Sequence, residues 1–255
     1  MIFSQFTLSL ITGIFIGGIA GYLGSLMIVK RMALVGGPLG HLALPGVALA
    51  LLYHYNIFLG ALLSIVIGAI VIWLLQIKSK LSLEALTGVV FAAGVALGFL
   101  ILPLSQAEEA LIGDITKINL TDTLLAIFLG LIVFVIINRI YQKMILSGIS
   151  EDLAKTEGID VKKYNLIYLI CITLIVALEV KIVGTLLTVA LLVIPASASN
   201  NFSRSLCLYS WGALLIGVVS TILGIFAFRF TGLPAGPLII LSAALIFLVS
   251  LFFKK

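Results

Sequence analysis

The sequence predicts an all-α integral membrane protein with about nine transmembrane helices, formed by one domain over residues 1–255. Of the 255 residues, 62% are hydrophobic and only 10% are charged, whereas soluble domains have about 45–50% apolar and about 25% charged residues. The apolar residues also form long runs, and in hydrocarbon such a run satisfies its backbone hydrogen bonds as a helix. This composition excludes a soluble domain, a disordered chain, a disulfide scaffold and a nucleic-acid-binding domain.

Nine apolar segments are candidates for spanning helices, because about 20 residues cross the hydrocarbon core. The polar residues of the chain concentrate in the breaks between these segments. The break at 180–182 is the shortest, so a count of eight spans is the alternative. The segments are residues 3–29, 32–53, 57–76, 86–104, 123–140, 164–180, 182–199, 206–228 and 238–253.

The distribution of Lys and Arg predicts an N-terminus outside and a C-terminus inside the membrane. In this orientation 12 of the 15 basic residues lie in inside loops, and only Lys117, Lys181 and Arg229 lie outside. Cytoplasmic loops carry such an excess, so we expect a multi-pass protein of the plasma (inner) membrane. The first apolar run has no positive charge before it, which favours a retained helix over a cleaved signal peptide. The longest inside loop is 141–163.

Small residues recur at intervals of four in three of the predicted helices. Such stripes let helices approach closely in lipid, and we expect them to serve packing within the chain rather than a subunit interface. They are Gly13, Gly17 and Gly21, then Gly60, Ser64 and Gly68, then Gly94 and Gly98. Cys171 and Cys207 lie inside apolar runs without a metal or redox spacing, so both are expected in the core.

The chain lacks the motifs of nucleotide-binding and hydrolytic proteins. It contains no G-x-x-x-x-G-K-[ST], no H-E-x-x-H and no G-x-S-x-G, so we expect that the chain does not bind ATP itself and is not an enzyme. Acidic residues are nearly absent from the middle of the predicted spans. Glu179 comes closest, at a predicted outer helix end beside Lys181. A proton-driven transporter needs an ionisable group in its core, so active transport here would take its energy from a partner.

The segment 31–50 predicts a broken helix with a candidate metal ligand. Glycines and prolines at 36–40 and again at 45–46 interrupt an apolar run. Such a break is tolerated at membrane depth where the backbone lines a cavity or is buried in protein. His41 falls between the two breaks, and neutral imidazole is a good ligand for transition metals.

The segment 150–158 predicts a short helix in the main inside loop. Ser150 supplies a cap, and Glu151 and Asp152 place negative charge at the helix start. Gly158 ends the helix. A solvated loop is the alternative. Two further segments have a distinct pattern but no function that follows from physics alone: 182–199, which ends in Pro195, Ser197 and Ser199, and the turn 231–241 before the last helix.

These four segments, in this order, resemble the membrane permeases of ABC transporters that take up zinc, manganese or iron. The resemblance covers most of the chain, and each string is weak alone. The strings are Arg-Met-Ala-Leu-Val-Gly…His-Leu-Ala-Leu-Pro-Gly-Val-Ala-Leu-Ala, Glu-Asp-Leu-Ala…Glu-Gly-Ile, Val-Gly-Thr-Leu-Leu-Thr-Val-Ala-Leu-Leu-Val-Ile-Pro-Ala and Leu-Pro-Ala-Gly-Pro. Gly113-Asp114-Ile115 also resembles a family feature.

The resemblance implies a permease that imports a divalent metal ion by alternating access and binds no cofactor itself. Two copies would form the pathway, cytoplasmic ATPase subunits would hydrolyse ATP, and an external metal-binding protein would deliver the ion. The family's coupling helix matches Glu151, Asp152, Leu153, Ala154, Glu157 and Gly158. The implied pathway residues are Gly37, Gly40, His41, Pro45, Pro195 and Ser197, with His41 as the metal ligand.

The first segment departs from the family pattern, which is usually Asp-x-x-Ser-His. Here Gly37 and Gly40 replace the acidic residue and the serine, and a lone imidazole offers no charge compensation to a divalent ion. His41 is then a ligand or a hydrogen-bonded packing residue. Three explanations stay open: Ser197, Ser199, Asn200 or His54 complete the pathway, coordination is weak and brief, or the cargo differs.

Residues of the predicted outer loops are a second group of candidates. His54 lies between Tyr53 and Tyr55 and either meets an incoming ion or anchors the chain at the membrane surface. Glu108 and Glu109 either attract cations and contact the delivery protein or belong to a solvated turn. Two other functions stay open for the whole chain: a related ABC permease with a non-metal cargo, and a membrane enzyme or sensor-like subunit without transport.

Overall fold

The computed structural model describes residues 5–30, 38, 40–79, 81, 83–102 and 107–253, and within these ranges the chain forms helices and turns without a β-strand. A helical turn at 40–42 and a 3₁₀ turn at Ile115–Lys117 complete them. The helices are α1 Gln5–Val29, α2 Leu44–Leu52, α3 Ile57–Lys78, α4 Leu83–Ile101, α5 Ala107–Ile112, α6 Leu120–Ile149, α7 Glu151–Thr156, α8 Val161–Val183, α9 Thr188–Phe202, α10 Leu206–Thr231 and α11 Ala235–Leu251.

Five helices of the described chain are long and apolar enough to cross a membrane, judged by length and composition. They are Gln5–Val29, Ile57–Leu75, Leu120–Ile149, Val161–Val183 and Leu206–Thr231. Three shorter apolar helices accompany them: Gly40–Leu52, Ala85–Ile101 and Ala235–Leu251. The all-helical membrane class predicted from composition is thereby confirmed.

Helix α1 is the centre of the bundle and packs against α6, α8, α9 and α10. Its glycine stripe faces α10, where a Cβ on Gly217 would lie 2.1 Å from the Gly17 carbonyl oxygen. On the α9 side, a Cβ on Gly24 would lie 1.8 Å from the Leu192 carbonyl oxygen. Only glycine permits backbones to approach this closely, so the first stripe serves packing within the chain, as predicted.

Helices α2, α3 and α4 form a second layer, which contacts the bundle through α3 and α8. Gly46 and Gly60 bring α2 and α3 into backbone contact, and the Ser64 hydroxyl donates to the Leu42 carbonyl at 2.6 Å. Gly68, Gly94 and Gly98 face the side chains of Leu42 and Leu44. The other two stripes therefore also serve packing within the chain.

The two ends of the bundle differ in their polar contacts. At the end that contains Lys181, the hydroxyl of Ser9 donates to the Ile115 carbonyl at 2.9 Å, and Thr12 donates to Thr123 at 2.8 Å. Helix α5 lies against the end of α8, where the backbone N–H of Thr185 donates to the Ala110 carbonyl at 3.2 Å. These contacts hold the start of α1, α5, the start of α6 and the end of α8 together.

The opposite end contains Lys30, the end of α6, the short α7 and the start of α8. Below it, tyrosines connect the helices to α1. Tyr168 donates to the Leu23 carbonyl at 2.9 Å, Tyr209 donates to the Ser25 carbonyl at 3.2 Å, and Tyr141 shares a 2.8 Å hydrogen bond with the Ser25 hydroxyl. Each of these hydroxyls is buried and finds a partner, as a phenol in a dry core requires.

Three helix boundaries differ from those predicted from sequence. Helix α6 continues through 141–149, which was assigned to a loop, because charged residues such as Arg139 and Lys143 lie on its exposed face. Helix α8 does not break at 180–182 and ends instead at Gly184, whose φ is +83°. The break predicted at 45–46 lies at Ala43, since Pro45 stands in the first turn of α2, where its missing N–H costs nothing.

The prediction for the cysteines is half correct. Cys171 is buried in α8, whereas Cys207 is exposed in the first turn of α10. An apolar neighbourhood in sequence does not distinguish a residue that faces the bundle from one that faces lipid.

Candidate functional site

Helix α7 is a separate short helix between two long ones, as the sequence predicted. Ser150 ends α6 by donating its N–H to the Leu146 carbonyl at 3.0 Å and caps α7 by accepting from Leu153 N at 3.3 Å. Its extended backbone, with φ −153°, turns the chain sharply between the two helices. Gly158, with φ +72°, stands where the chain leaves α7 toward α8.

The surface of α7 is almost entirely open. Glu151, Asp152, Leu153 and Glu157 are exposed, and 56% of Leu153 is accessible although it is apolar. Ala154 is fully buried and holds the helix against the body of the protein. Asp152 pairs with Lys155 at 3.6 Å, but both side chains are largely in solvent, so the pair adds little stability. The arrangement leaves an acidic helix with an exposed leucine on the surface of the protein.

Lys30 connects the end of α1 to both helices that flank α7. Its ammonium group donates to the Ser147 hydroxyl at 3.0 Å and to the Asn165 side-chain carbonyl at 2.5 Å. Burial lowers the pKa of Lys30 below its usual value, and the negative charge of Glu151 opposes this effect.

His41 lies on the helical turn that precedes α2. Its ring is half-buried and packs edge-on against Phe91 of α4, with ring centroids 5.1 Å apart. Gly37 lies outside the described residues. No group of three or more His, Cys, Asp or Glu side chains that could hold a metal occurs in the described part of the chain, so within one copy His41 is a single candidate ligand.

Gly40 has no room for a side chain. A Cβ at this position would lie 2.1 Å from the Thr188 hydroxyl and 3.1 Å from the Thr185 carbonyl oxygen. The first turn of α9 therefore fills the space that a serine at position 40 would need. The hydroxyl of Thr188 therefore lies beside residue 40, the chain neighbour of His41.

One large apolar cavity among the described residues lacks the ligands of an ion site. It has a volume of about 580 Å³ and lies between α2, α3 and α4, lined by apolar residues that include Pro45. A divalent ion requires oxygen, nitrogen or sulfur ligands, and this cavity offers no charged side chain. Pro45 thus starts α2 and lines an apolar groove.

The residues predicted at the end of α9 divide between packing and exposure. Pro195 is buried inside α9, where its ring faces Gly21 of α1. The Ser199 hydroxyl is buried and donates to the Tyr209 carbonyl at 2.8 Å, which assigns it to packing. Ser197 is half-buried and Asn200 is exposed. Of this group, Ser197 and Asn200 are the residues that are not buried.

The candidates of the predicted outer loops lie after α2 and within α5. His54 is exposed in the turn between α2 and α3, with φ +56°, and Tyr53 and Tyr55 beside it are exposed too. Glu108 and Glu109 belong to α5, and their side chains lie outside the described residues.

Two buried groups near the end of α8 were not predicted. Lys181 forms an ion pair with Asp122, whose carboxylate also accepts the Asn119 N–H at 2.9 Å. Glu179 is completely buried, and neither of its carboxyl oxygens has a hydrogen-bond partner among the described residues. The sequence placed Glu179 at a helix end beside Lys181, whereas the lysine pairs elsewhere.

Sequence reasoning did not single out two residues that make notable contacts, Lys30 and Thr188. Lys30 was one basic residue among twelve on the inside, and its acceptors are 117 and 135 positions away in the chain. Thr188 lies in an apolar run without a local signal. Both roles arise from contacts between distant segments, which no spacing along the chain encodes.

Comparisons with known proteins find relatives over almost the whole chain. The model of the ABC 3 transport family matches residues 3–254. The manganese import system permease protein ScaB of Streptococcus gordonii is 31% identical over 248 residues, which cover 96% of this chain and 89% of that protein. The high-affinity zinc uptake system membrane protein ZnuB of Haemophilus influenzae is 31% identical over 257 residues, 97% of each chain.

A solved structure has the same fold. The structure of PsaBC from Streptococcus pneumoniae in complex with Fab aligns with a TM-score of 0.89 and 28% identity, covering 100% of this chain and 93% of that chain.

Proposed function

Because the chain belongs to the ABC 3 transport family, we propose that it is the membrane permease subunit of an ATP-driven importer of divalent transition metal ions, manganese or zinc before iron. The chain is a multi-pass membrane protein with a role in transport. Manganese and zinc come first because they are the ions in the names of relatives that match almost the whole chain.

The exposed helix α7 carries this proposal. It has six residues, is capped at both ends and offers Glu151, Asp152 and Leu153 to a partner while Ala154 anchors it. We assign it to the cytoplasmic face from the excess of basic residues in the inside loops, with the N-terminus outside and nine spans in the inner membrane. In this assignment α7 is the surface on which an ATPase subunit docks.

We assign the ion pathway to the region around His41. His41 supplies the nitrogen ligand, and the Thr188 hydroxyl supplies oxygen in place of the serine that position 40 lacks. The proposed pathway also includes Gly37 and Ser197, with Pro45 and Pro195 in the helices that flank it and His54, Glu108 and Glu109 on the outer side. A second copy of the chain and an external metal-binding protein complete the transporter.

Charge reversal on α7 tests the proposal. The complex of permease, ATPase and delivery protein is reconstituted in vesicles, and uptake of radioactive Mn²⁺ and Zn²⁺ is measured with ATP hydrolysis. We expect Glu151→Lys with Asp152→Lys to reduce uptake per ATP hydrolysed by about tenfold, within the range of coupling between sites. The exposed Arg204, in the turn between α9 and α10, offers the control Arg204→Glu, which should behave as wild type.

Full metal uptake by the double variant contradicts the assignment of α7.

A different cargo is the second candidate function, favoured by Gly37 and Gly40 at positions where related permeases carry an acidic residue and a serine. It would be supported if the intact complex hydrolysed ATP with its delivery protein but moved none of Mn²⁺, Zn²⁺ and Fe²⁺.

A further inference from the structure

Lys30 forms the only described polar contact that joins the end of α1 to the last turn of α6 and the first turn of α8 at once. We call Lys30, Ser147 and Asn165 the Lys30 clasp. Both acceptors are neutral, at 3.0 and 2.5 Å from the ammonium nitrogen. Ser147 is itself buried and donates to the Met144 carbonyl at 3.0 Å, which fixes the orientation of its hydroxyl.

Packing reinforces the clasp. A Cβ on Gly148 would lie 3.1 Å from Val29 and 3.4 Å from Lys30 side-chain atoms, so the last turn of α6 rests directly on the end of α1. An ammonium group that leaves water needs acceptors to replace its hydration. Burial lowers the pKa of Lys30, so the ammonium group is partly desolvated. It therefore depends on these two acceptors to replace the lost water.

The two acceptors of the clasp flank α7 in sequence. Ser147 lies four residues before Glu151, and Asn165 lies in the first turn of α8, which follows α7 after the short connection 157–160. A displacement of α7 must therefore displace at least one of the two acceptors. On the other side of the clasp, Lys30 is followed by the segment that leads to Gly40 and His41.

We propose that the Lys30 clasp transmits the movement of α7 to the end of α1, the central helix of the bundle, with Lys30 as a positioning residue. This inference rests on the proposed function and adds the route by which a partner at α7 moves the bundle. Lys30 itself does not contact the ion. It makes the end of α1 move with α6 and α8 when the ATPase changes state.

The test compares two lysines that bridge the same two helices. Lys143 on α6 donates to the Tyr164 hydroxyl on α8 at 2.8 Å, beside Asn165, but it is exposed and does not reach α1. In the reconstituted complex we expect Lys30→Met to lower Mn²⁺ or Zn²⁺ uptake per ATP hydrolysed roughly tenfold while ATP hydrolysis persists. Lys143→Met should keep the wild-type ratio, and Lys30→Arg should restore part of it.

The outcomes separate the clasp from the proposed function. If the wild-type complex moves neither ion, the proposed function fails and the clasp fails with it. If wild type transports and Lys30→Met keeps the wild-type ratio, or loses uptake and ATP hydrolysis in proportion, the clasp alone is overturned. If Lys30→Met does not yield a folded complex, Asn165→Leu with Ser147→Ala removes both acceptors, and a wild-type ratio in that variant also overturns it.

Discussion

At the scale of single residues, the ion pair between Lys181 and Asp122 shows how this fold treats buried charge. Only 17% of the Lys181 side chain and 9% of the Asp122 side chain are accessible. Asp122 also closes a capping box with Asn119 at the start of α6. One carboxylate thus pairs with a lysine and begins a helix, which offsets part of the cost of burying both charges.

Removal of Lys181 should destabilise the protein, because Asp122 then keeps its charge without a cation beside it. We expect Lys181→Met to lower the free energy of unfolding by about 3 kcal/mol, because it leaves a nearly dry carboxylate without its cation. Thermal melting of the purified permease in detergent measures the effect. The exposed pair of Lys155 and Asp152 provides the control: Lys155→Met should cost less than about 1 kcal/mol. Equal losses of unfolding free energy in the two variants would show that the buried pair stabilises the protein no more than the exposed pair.

At the scale of elements, the contact between α1 and α10 depends on the absence of side chains. Gly17 and Gly217 face each other so closely that a Cβ on either would reach the carbonyl oxygen of the other, at 2.9 and 2.1 Å. In lipid, helices gain nothing from hydrophobic burial against one another, so the contact relies on close van der Waals approach.

A single methyl group should therefore separate the two helices. We expect Gly217→Ala to destabilise the permease by about 1–3 kcal/mol, since the added carbon meets backbone rather than a movable side chain. Gly88 in α4 is the matched control, because nothing lies within 4 Å of a Cβ built there. Gly88→Ala should be neutral or stabilising by up to about 1 kcal/mol, as alanine favours helix. A Gly217→Ala protein that melts like wild type would refute this view of the contact.

Sequence patterns predicted some elements well and others poorly, for physical reasons. The α7 helix was correct because its cap, acidic first turn and terminal glycine are all local signals. The end of α6 was wrong because a helix can extend beyond hydrocarbon with charged residues on an exposed face. The end of α8 was displaced because Lys181, which reads as a loop residue, stays helical through its pair with Asp122.

At the scale of the whole molecule, composition was sufficient for the membrane class, and each of the nine predicted segments overlaps a helix of the described chain. The arrangement of the site was not predictable in the same way. The filling of the space beside Gly40 by Thr188, and the bridge from Lys30 to Ser147 and Asn165, depend on which helices are neighbours. A sequence read alone contains no information of that kind.

The burial of Glu179 favours any arrangement of the bundle in which water reaches its carboxyl group. Its carboxyl group is buried in α8 without a hydrogen-bond partner among the described residues, and burial of an unpaired carboxyl costs free energy relative to water. Any arrangement that admits water between α8 and its neighbours recovers this cost. Glu179→Leu should then raise the Tm of the permease by several degrees and slow metal uptake. Thermal melting and initial rates of uptake measure the two effects. A lower Tm would show that the Glu179 carboxyl has a stabilising hydrogen-bond partner. In the described arrangement, the packing of the surrounding helices offsets the cost of burying Glu179.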